Sequence, residues 1–149
     1  MEAGKNKNDG AARDLKPLMR VLARAFKLAV ARVERESGVP GIWWFVLGVL
    51  SRRDGISQGE FVQEHEIADP SRVTRTAQAL EAEGWIRRER DPRDNRVVRM
   101  YLTDEGWRVV GERLPRVNEE VERRARTVMS EKELAEFERL LGLFSEAMR

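Results

Sequence analysis

Apolar positions recur along this chain with two different periods. Over residues 11–37, Leu15, Leu18, Leu22, Phe26, Ala29 and Val33 stand three or four apart, which lays them in one stripe on a long helix. Arg20, Arg24, Lys27 and Arg35 decorate the rest of its surface, and Gly38, Val39, Pro40 and Gly41 turn the chain. Residues 42–50, IWWFVLGVL, are apolar all round, which predicts a central buried helix. Ser57 and Glu60 form an S-x-x-E capping box, and Phe61 and Val62 give the helix it opens an apolar side. At Ala68, Asp69 and Pro70 that helix breaks, with Asp69 placed as N-cap and Pro70 at the first position of the next one.

In this next helix, over residues 70–83, Val73, Ala77 and Leu80 fall on one side and point to a core. Ser71, Arg75 and Gln78 fall opposite, with Arg72 and Thr74 on the flanks. Gly84 follows, where a helix end favours a left-handed residue. The pattern then shortens to two β-rich runs, 85–90 and 97–102, joined by the turn-forming DPRDNR. Gly55 and Ile56 are candidates for a third short strand beside them. Thr103 caps a further helix, with Asp104 and Glu105 in its first turn and an apolar series of Val109, Val110, Leu114, Val117, Val121, Ala125 and Val128. Pro115 lies inside this series and is expected to kink or divide the helix. A second capping box, Ser130 and Glu133, opens a last helix carrying Leu134, Phe137, Leu140, Leu141, Phe144 and Met148. The Glu and Arg residues between these stripes stand three or four apart and read as exposed helix-face pairs.

Composition removes several kinds of chemistry. The chain has 149 residues, no cysteine and one histidine, so disulfides, thiol sensing and thiolate zinc sites are excluded. His65, between Glu64 and Glu66, is poor ligand arithmetic for zinc, and no metal is expected. No Gly-rich phosphate loop or G-x-S-x-G is present, so no catalytic residue and no cofactor is assigned. The longest apolar run, nine residues, falls short of a ~20-residue membrane span, and the polar opening MEAGKNKNDG reads as a disordered tail over 1–10; a cytoplasmic location is expected. Bulk charge says little about partners. The net charge is +2, and residues 52–99 hold ten basic and ten acidic side chains.

Placement of the arginines says more. Six lie between Arg87 and Arg99, against Glu89, Asp91 and Asp94. A helix offering hydroxyls, an amide and guanidinium groups, followed by a hairpin tipped with Arg93 and Arg96, suits base edges in a major groove and a narrow minor groove beside it. Helix, turn, helix and basic hairpin together make a winged helix. The second helix with V-T-R, then G-W-I, D-P-R-D-N-R and L-T-D-E-G, resembles the MarR family of bacterial transcriptional regulators, in motif detail over 41–106 and in layout over the whole chain. The turn at residues 67–70 is about one residue longer than the usual pattern, and His65 stands where such sequences carry an apolar residue.

The resemblance implies a mainly α fold with a small β wing: a winged helix-turn-helix domain over 41–103, and a dimerisation domain from the terminal helices, 11–40 and 104–149. It places Ser71, Arg72, Thr74, Arg75 and Gln78 at the major groove. In the wing it makes Asp94 the brace and Arg96 the minor-groove residue, with Arg93 as the competing arginine. It implies a homodimer on double-stranded DNA at an inverted-repeat operator, most simply as a repressor. It also implies a small aromatic or acidic effector in a crevice beside the 42–50 helix, where Trp43 and Trp44, ~100° apart on the helix, cannot both face one core direction. The alternative is a winged-helix protein-interaction module without specific DNA binding.

Overall fold

The computed structural model describes residues 8–66 and 69–149, with side chains in the first helix described from Pro17 onward. The elements run α1 (Asn8–Ser37), α2 (Gly41–Arg52), α3 (Gln58–Glu64), α4 (Pro70–Ala82), β1 (Ile86–Arg90), β2 (Val98–Leu102), α5 (Asp104–Ala125) and α6 (Glu131–Ala147). This is the expected mainly helical fold with a small β wing. The first helix starts at Asn8, ahead of the expected residue 11, and the remainder of the expected tail lies outside the described residues. So do Ile67 and Ala68 of the long turn. Among the described residues, no helix is long and apolar enough to cross a membrane.

Local chemistry sets the element ends. Ser57 accepts from the Glu60 N–H while Glu60 accepts from the Ser57 N–H, and Ser130 and Glu133 repeat the arrangement at α6. Asp69 caps α4 ahead of Pro70, and Thr103 caps α5. Gly84 closes α4 at φ +75°, a conformation that costs a residue with a Cβ. The strands pair antiparallel, from Ile86 opposite Leu102 to Arg90 opposite Val98. The expected third strand is only a bridge. Gly55 N–H donates to the Met100 carbonyl, Met100 N–H to that of Ile56, and Ser57 pairs with Arg99 before the capping box starts α3.

The core gathers around the winged helix. Leu47, Leu50, Ile56, Phe61, Val73, Ala77, Leu80, Ile86, Met100 and Leu102 are all 2% exposed or less. Val109 and Val117 of α5 join it, as does Trp85. Two expectations about the helices need correction. The second helix is not buried all round: its first turn opens on a crevice, and Phe45 is 43% exposed. Pro115 does not divide α5, which runs unbroken from Asp104 to Ala125; the packing of its length on α1 and α2 outweighs one lost backbone bond. Val128, which continues the apolar series, lies beyond the end of α5 and is 82% exposed.

The terminal helices leave much of their stripes bare. Phe26 of α1 is 72% exposed, and α6 buries no residue at all. The charged flanks of α6 and α5 pair locally as expected, Arg139 with Glu136 at 2.7 Å on α6 and Arg123 with Glu120 at 2.8 Å on α5.

Candidate nucleic-acid interface

The exposed face of α4 holds Ser71, Arg72, Arg75 and Gln78, while Thr74 is half-buried beside them. Asp69 organises the start of this face, accepting from the backbone N–H groups of Ser71 at 3.0 Å and Arg72 at 3.3 Å. The Ser71 hydroxyl also donates to it, and that bond, with the backbone bonds, holds the Asp69 carboxyl below its usual range. Arg75 folds back along the helix, its Nη1 donating to Ser71 Oγ at 3.1 Å and its Nη2 lying 3.6 Å from Asp69. Thr74 Oγ1 accepts from Gln58 Nε2 at 3.0 Å, which fixes α4 against α3. Arg72 differs from the others, because it also borders a hollow between α4, α1 and α2.

The six arginines of the wing divide into two groups. Arg87 pairs with Glu89 and lies over the Tyr101 ring at 4.6 Å. Arg88 grips Glu81 of α4 through two side-chain bonds and its backbone N–H. Arg90 donates to the Asn95 carbonyl, and Arg99 pairs with Asp91 at 2.6 Å. Among the described residues, the side chains of Arg93 and Arg96 at the tip have no such partner, and both are exposed. Asp94 braces the loop as expected, by accepting from the Arg96 N–H at 3.0 Å and not from a guanidinium. Asp91 does the same for the Arg93 N–H at 2.8 Å. That bond and the Arg99 side chain hold the Asp91 carboxyl below the usual carboxylate range.

The tryptophans separate. Trp44, 5% exposed, lines a hollow of about 290 Å³ with Phe26, Val33, Phe45, Leu114 and Asn118. Trp43 is not in its wall and instead meets the Trp85 ring edge-on at 5.6 Å, so its expected part in a ligand site is not what its packing supports. The second hollow, about 410 Å³, shares Phe26, Val30, Gly41 and Phe45 with the first and reaches Arg72. Together they make an apolar crevice of the size that holds small ligands, ~300–1,000 Å³. His65 is half-buried at the end of α3, its ring 5.2 Å from that of Phe45 and 4.9 Å from that of Phe61. It therefore packs as an aromatic, in keeping with an apolar residue at that place.

Three functional side chains escaped the sequence reading. Phe45 looked like core, and its exposure depends on which helices flank it. Glu60 looked only like a cap, yet it also lies 3.5 Å from Arg99 and from Arg53. Arg99 looked like one more arginine of the hairpin, with no role of its own. Hairpin geometry held the signal, since Asp91 and Arg99 are diagonal neighbours across the two strands.

Residues 37–96 match the model of the MarR family. Within 61 residues, 41% of this chain, the sequence is 39% identical to the uncharacterised HTH-type transcriptional regulator YdgJ of Bacillus subtilis. It is 28% identical over 91 residues, 61% of this chain, to the HTH-type transcriptional regulator BilQ of Clostridioides difficile. The matched stretches span 37% and 61% of the lengths of those two relatives. Among solved structures, a mutant MarR from E. coli complexed with operator DNA superimposes with a TM-score of 0.77 at 20% identity, covering 88% of this chain and 95% of that one. Residues 37–96 are a MarR-family winged helix, and the chain built around them has the MarR fold.

Proposed function

We propose that this protein is a sequence-specific DNA-binding transcriptional regulator, a homodimeric repressor that a small aromatic or acidic effector releases from an inverted-repeat operator. One observation carries the reading. Four of the six wing arginines are engaged within the protein, while, among the described residues, Arg93 and Arg96 have no side-chain partner at the tip and α4 keeps Ser71, Arg75 and Gln78 exposed. Such an arrangement serves phosphates and base edges better than it serves the chain's own stability. The fold shared with a MarR bound to operator DNA supports the same reading. A two-fold dimer would set two recognition helices one helical turn apart, ~34–36 Å.

Binding sites selected from a random duplex pool test this directly. The wild type is expected to select an inverted repeat and to bind it with a steep salt dependence. An Arg96→Ala variant should lose affinity and flatten the slope of log K against log salt by ~0.9, one phosphate contact. Arg75→Ala should lose more affinity for the selected site than for random DNA, because a bidentate base contact carries ~1–3 kcal/mol of discrimination. A wild-type protein that binds duplex DNA weakly and without salt dependence would make this winged helix a protein-interaction module instead.

The effector belongs in the crevice walled by Trp44 and Phe45. An aromatic acid or acyl thioester that enters should quench the fluorescence that a Trp44→Phe variant lacks, and should weaken DNA binding in parallel. To move the protein from 1:99 to 99:1 it must prefer the released state by ~5.5 kcal/mol. A panel of such compounds that alters neither signal argues for a regulator without an effector.

A further inference from the structure

The wing root contains one guanidinium that joins four separate segments. Arg99 lies on β2 opposite Glu89, with a side chain 32% exposed. Its Nε donates to Asp91 Oδ2 at 2.6 Å, where the chain leaves β1, and Asp91 is only 12% exposed. Its Nη1 donates to the Gly55 carbonyl at 3.0 Å, in the loop between α2 and α3. The same Nη1 lies 3.5 Å from Glu60 Oε2, in the first turn of α3. Glu60 is itself fixed by the Ser57 N–H at 2.8 Å, and Asp91 by the Arg93 N–H. One side chain therefore ties the base of the tip loop to the two elements that seat α3.

Its chemistry suits that task. The guanidinium is a rigid fork whose donors meet three acceptors at fixed angles, which an ammonium on a flexible stem does not reproduce. The tip beyond it carries Arg93 and Arg96 on a loop of seven residues between the strands, 91–97, stiffened by the Asp91 and Asp94 turns and by the Asp91 N–H to Val97 carbonyl bond. Without Arg99 to hold Asp91, the Asp91 turn would loosen and the tip would swing relative to α4. The Arg93 N–H and, after it, the Arg99 guanidinium shift the Asp91 carboxyl down, and Asp91 in turn shifts Arg99 up.

We propose that Arg99 is the positioning residue of the wing: it contacts no DNA, and it sets the direction in which Arg93 and Arg96 are presented relative to α4. The proposal rests on the DNA-binding reading for its consequence, and its geometry can be tested without DNA.

The variants are Arg99→Met, which keeps the stem, and Arg99→Lys, which keeps the charge. In the free protein, Arg99→Met should speed amide exchange at Arg93 and Val97 while Phe61 and Leu80 stay protected. The Asp91 carboxyl, followed by NMR, should titrate below the ~3.9 of a free aspartate in the wild type and move up toward it in the variant. On the selected duplex, both variants should bind roughly tenfold more weakly, the factor carried by ~1.4 kcal/mol, with the salt slope unchanged. An unaltered slope separates a positioning residue from Arg96, whose loss removes a counterion. Unchanged exchange and an unmoved Asp91 titration in Arg99→Met overturn the proposal whatever the DNA result. A slope that falls by ~0.9 overturns it too, by making Arg99 a phosphate contact. If the tip loosens as expected but the wild type binds no duplex, the clamp stands and the DNA-binding reading falls.

Discussion

Gly106→Ala is expected to unfold this protein or to shift its denaturant midpoint further than any other single methyl group. A Cβ on Gly106 would lie 1.9 Å from the Trp85 carbonyl oxygen and 3.1 Å from Leu102 Cδ2. The carbonyl is backbone, so it has no flexible end to swing aside. It is also in use: it accepts from the Thr103 N–H at 3.1 Å, at the point where Thr103 caps α5 and donates to the Gly84 carbonyl. Relief would therefore pull α5 away from the start of β1 and open the core at Trp85, Ile86 and Leu102. Overpacking costs ~1–3 kcal/mol where side chains can give, and a rigid carbonyl puts this site at or above the top of that range. A similar loss is a large part of the ~5–15 kcal/mol by which domains are stable. Urea melts of the wild type and Gly106→Ala, with Gly111→Ala as an open-space control, decide it. A midpoint for Gly106→Ala within error of the control would mean that the α5–β1 contact is loose.

How much of this was legible in the sequence follows from the range over which each signal acts. The caps at Ser57, Asp69, Thr103 and Ser130 act across two or three residues, and each lies where the sequence puts it. The core face of α4, Val73, Ala77 and Leu80, follows from helical period alone. Errors arise where a residue's role depends on distant neighbours. Arg99 has no assigned role until the fold brings Gly55 and Glu60, 44 and 39 residues away in sequence, against it. Phe45 reads as core until α1 is seen to leave a crevice over it, and Trp43 reads as a ligand contact until Trp85 takes its ring. For the opposite reason Pro115 does not divide its helix, since a local penalty loses to long packing on two helices. For the interface, sequence placed the exposed side chains of α4 and the free tip arginines correctly in space. It named Asp94 as the brace of the tip but did not find Asp91 and Arg99, which hold the root of the presenting loop.

A chain that ends at Met129 is expected to sediment as a monomer, or to precipitate, and the full chain as a dimer. Among the described residues, α6 buries nothing against its own chain, and Phe137, Leu140, Leu141, Leu143 and Met148 are 37–65% exposed. On α1, Leu18, Met19, Val21, Phe26 and Leu28 are 50–72% exposed. Soluble monomers rarely leave so many large apolar side chains uncovered on contiguous helices. A second copy of the same helices supplies matching apolar stripes between paired charges, and each Leu or Phe it covers fully contributes ~1.5–3 kcal/mol. Losing α6 removes that gain from both protomers at once. Because the truncation also uncovers what α6 would shield, a full-length Phe137→Glu/Leu140→Glu variant isolates the effect, keeping the Ser130 capping box and the helix. Both proteins should keep the winged-helix core, with Trp85 and Phe61 buried as before. On the selected inverted repeat their affinity should fall ~10²–10⁴-fold, the advantage lost when the second half-site is no longer bound intramolecularly. Affinity for a single half-site should change little. A chain ending at Met129 that sediments as a stable dimer would place the interface elsewhere, on α1 and α5 alone.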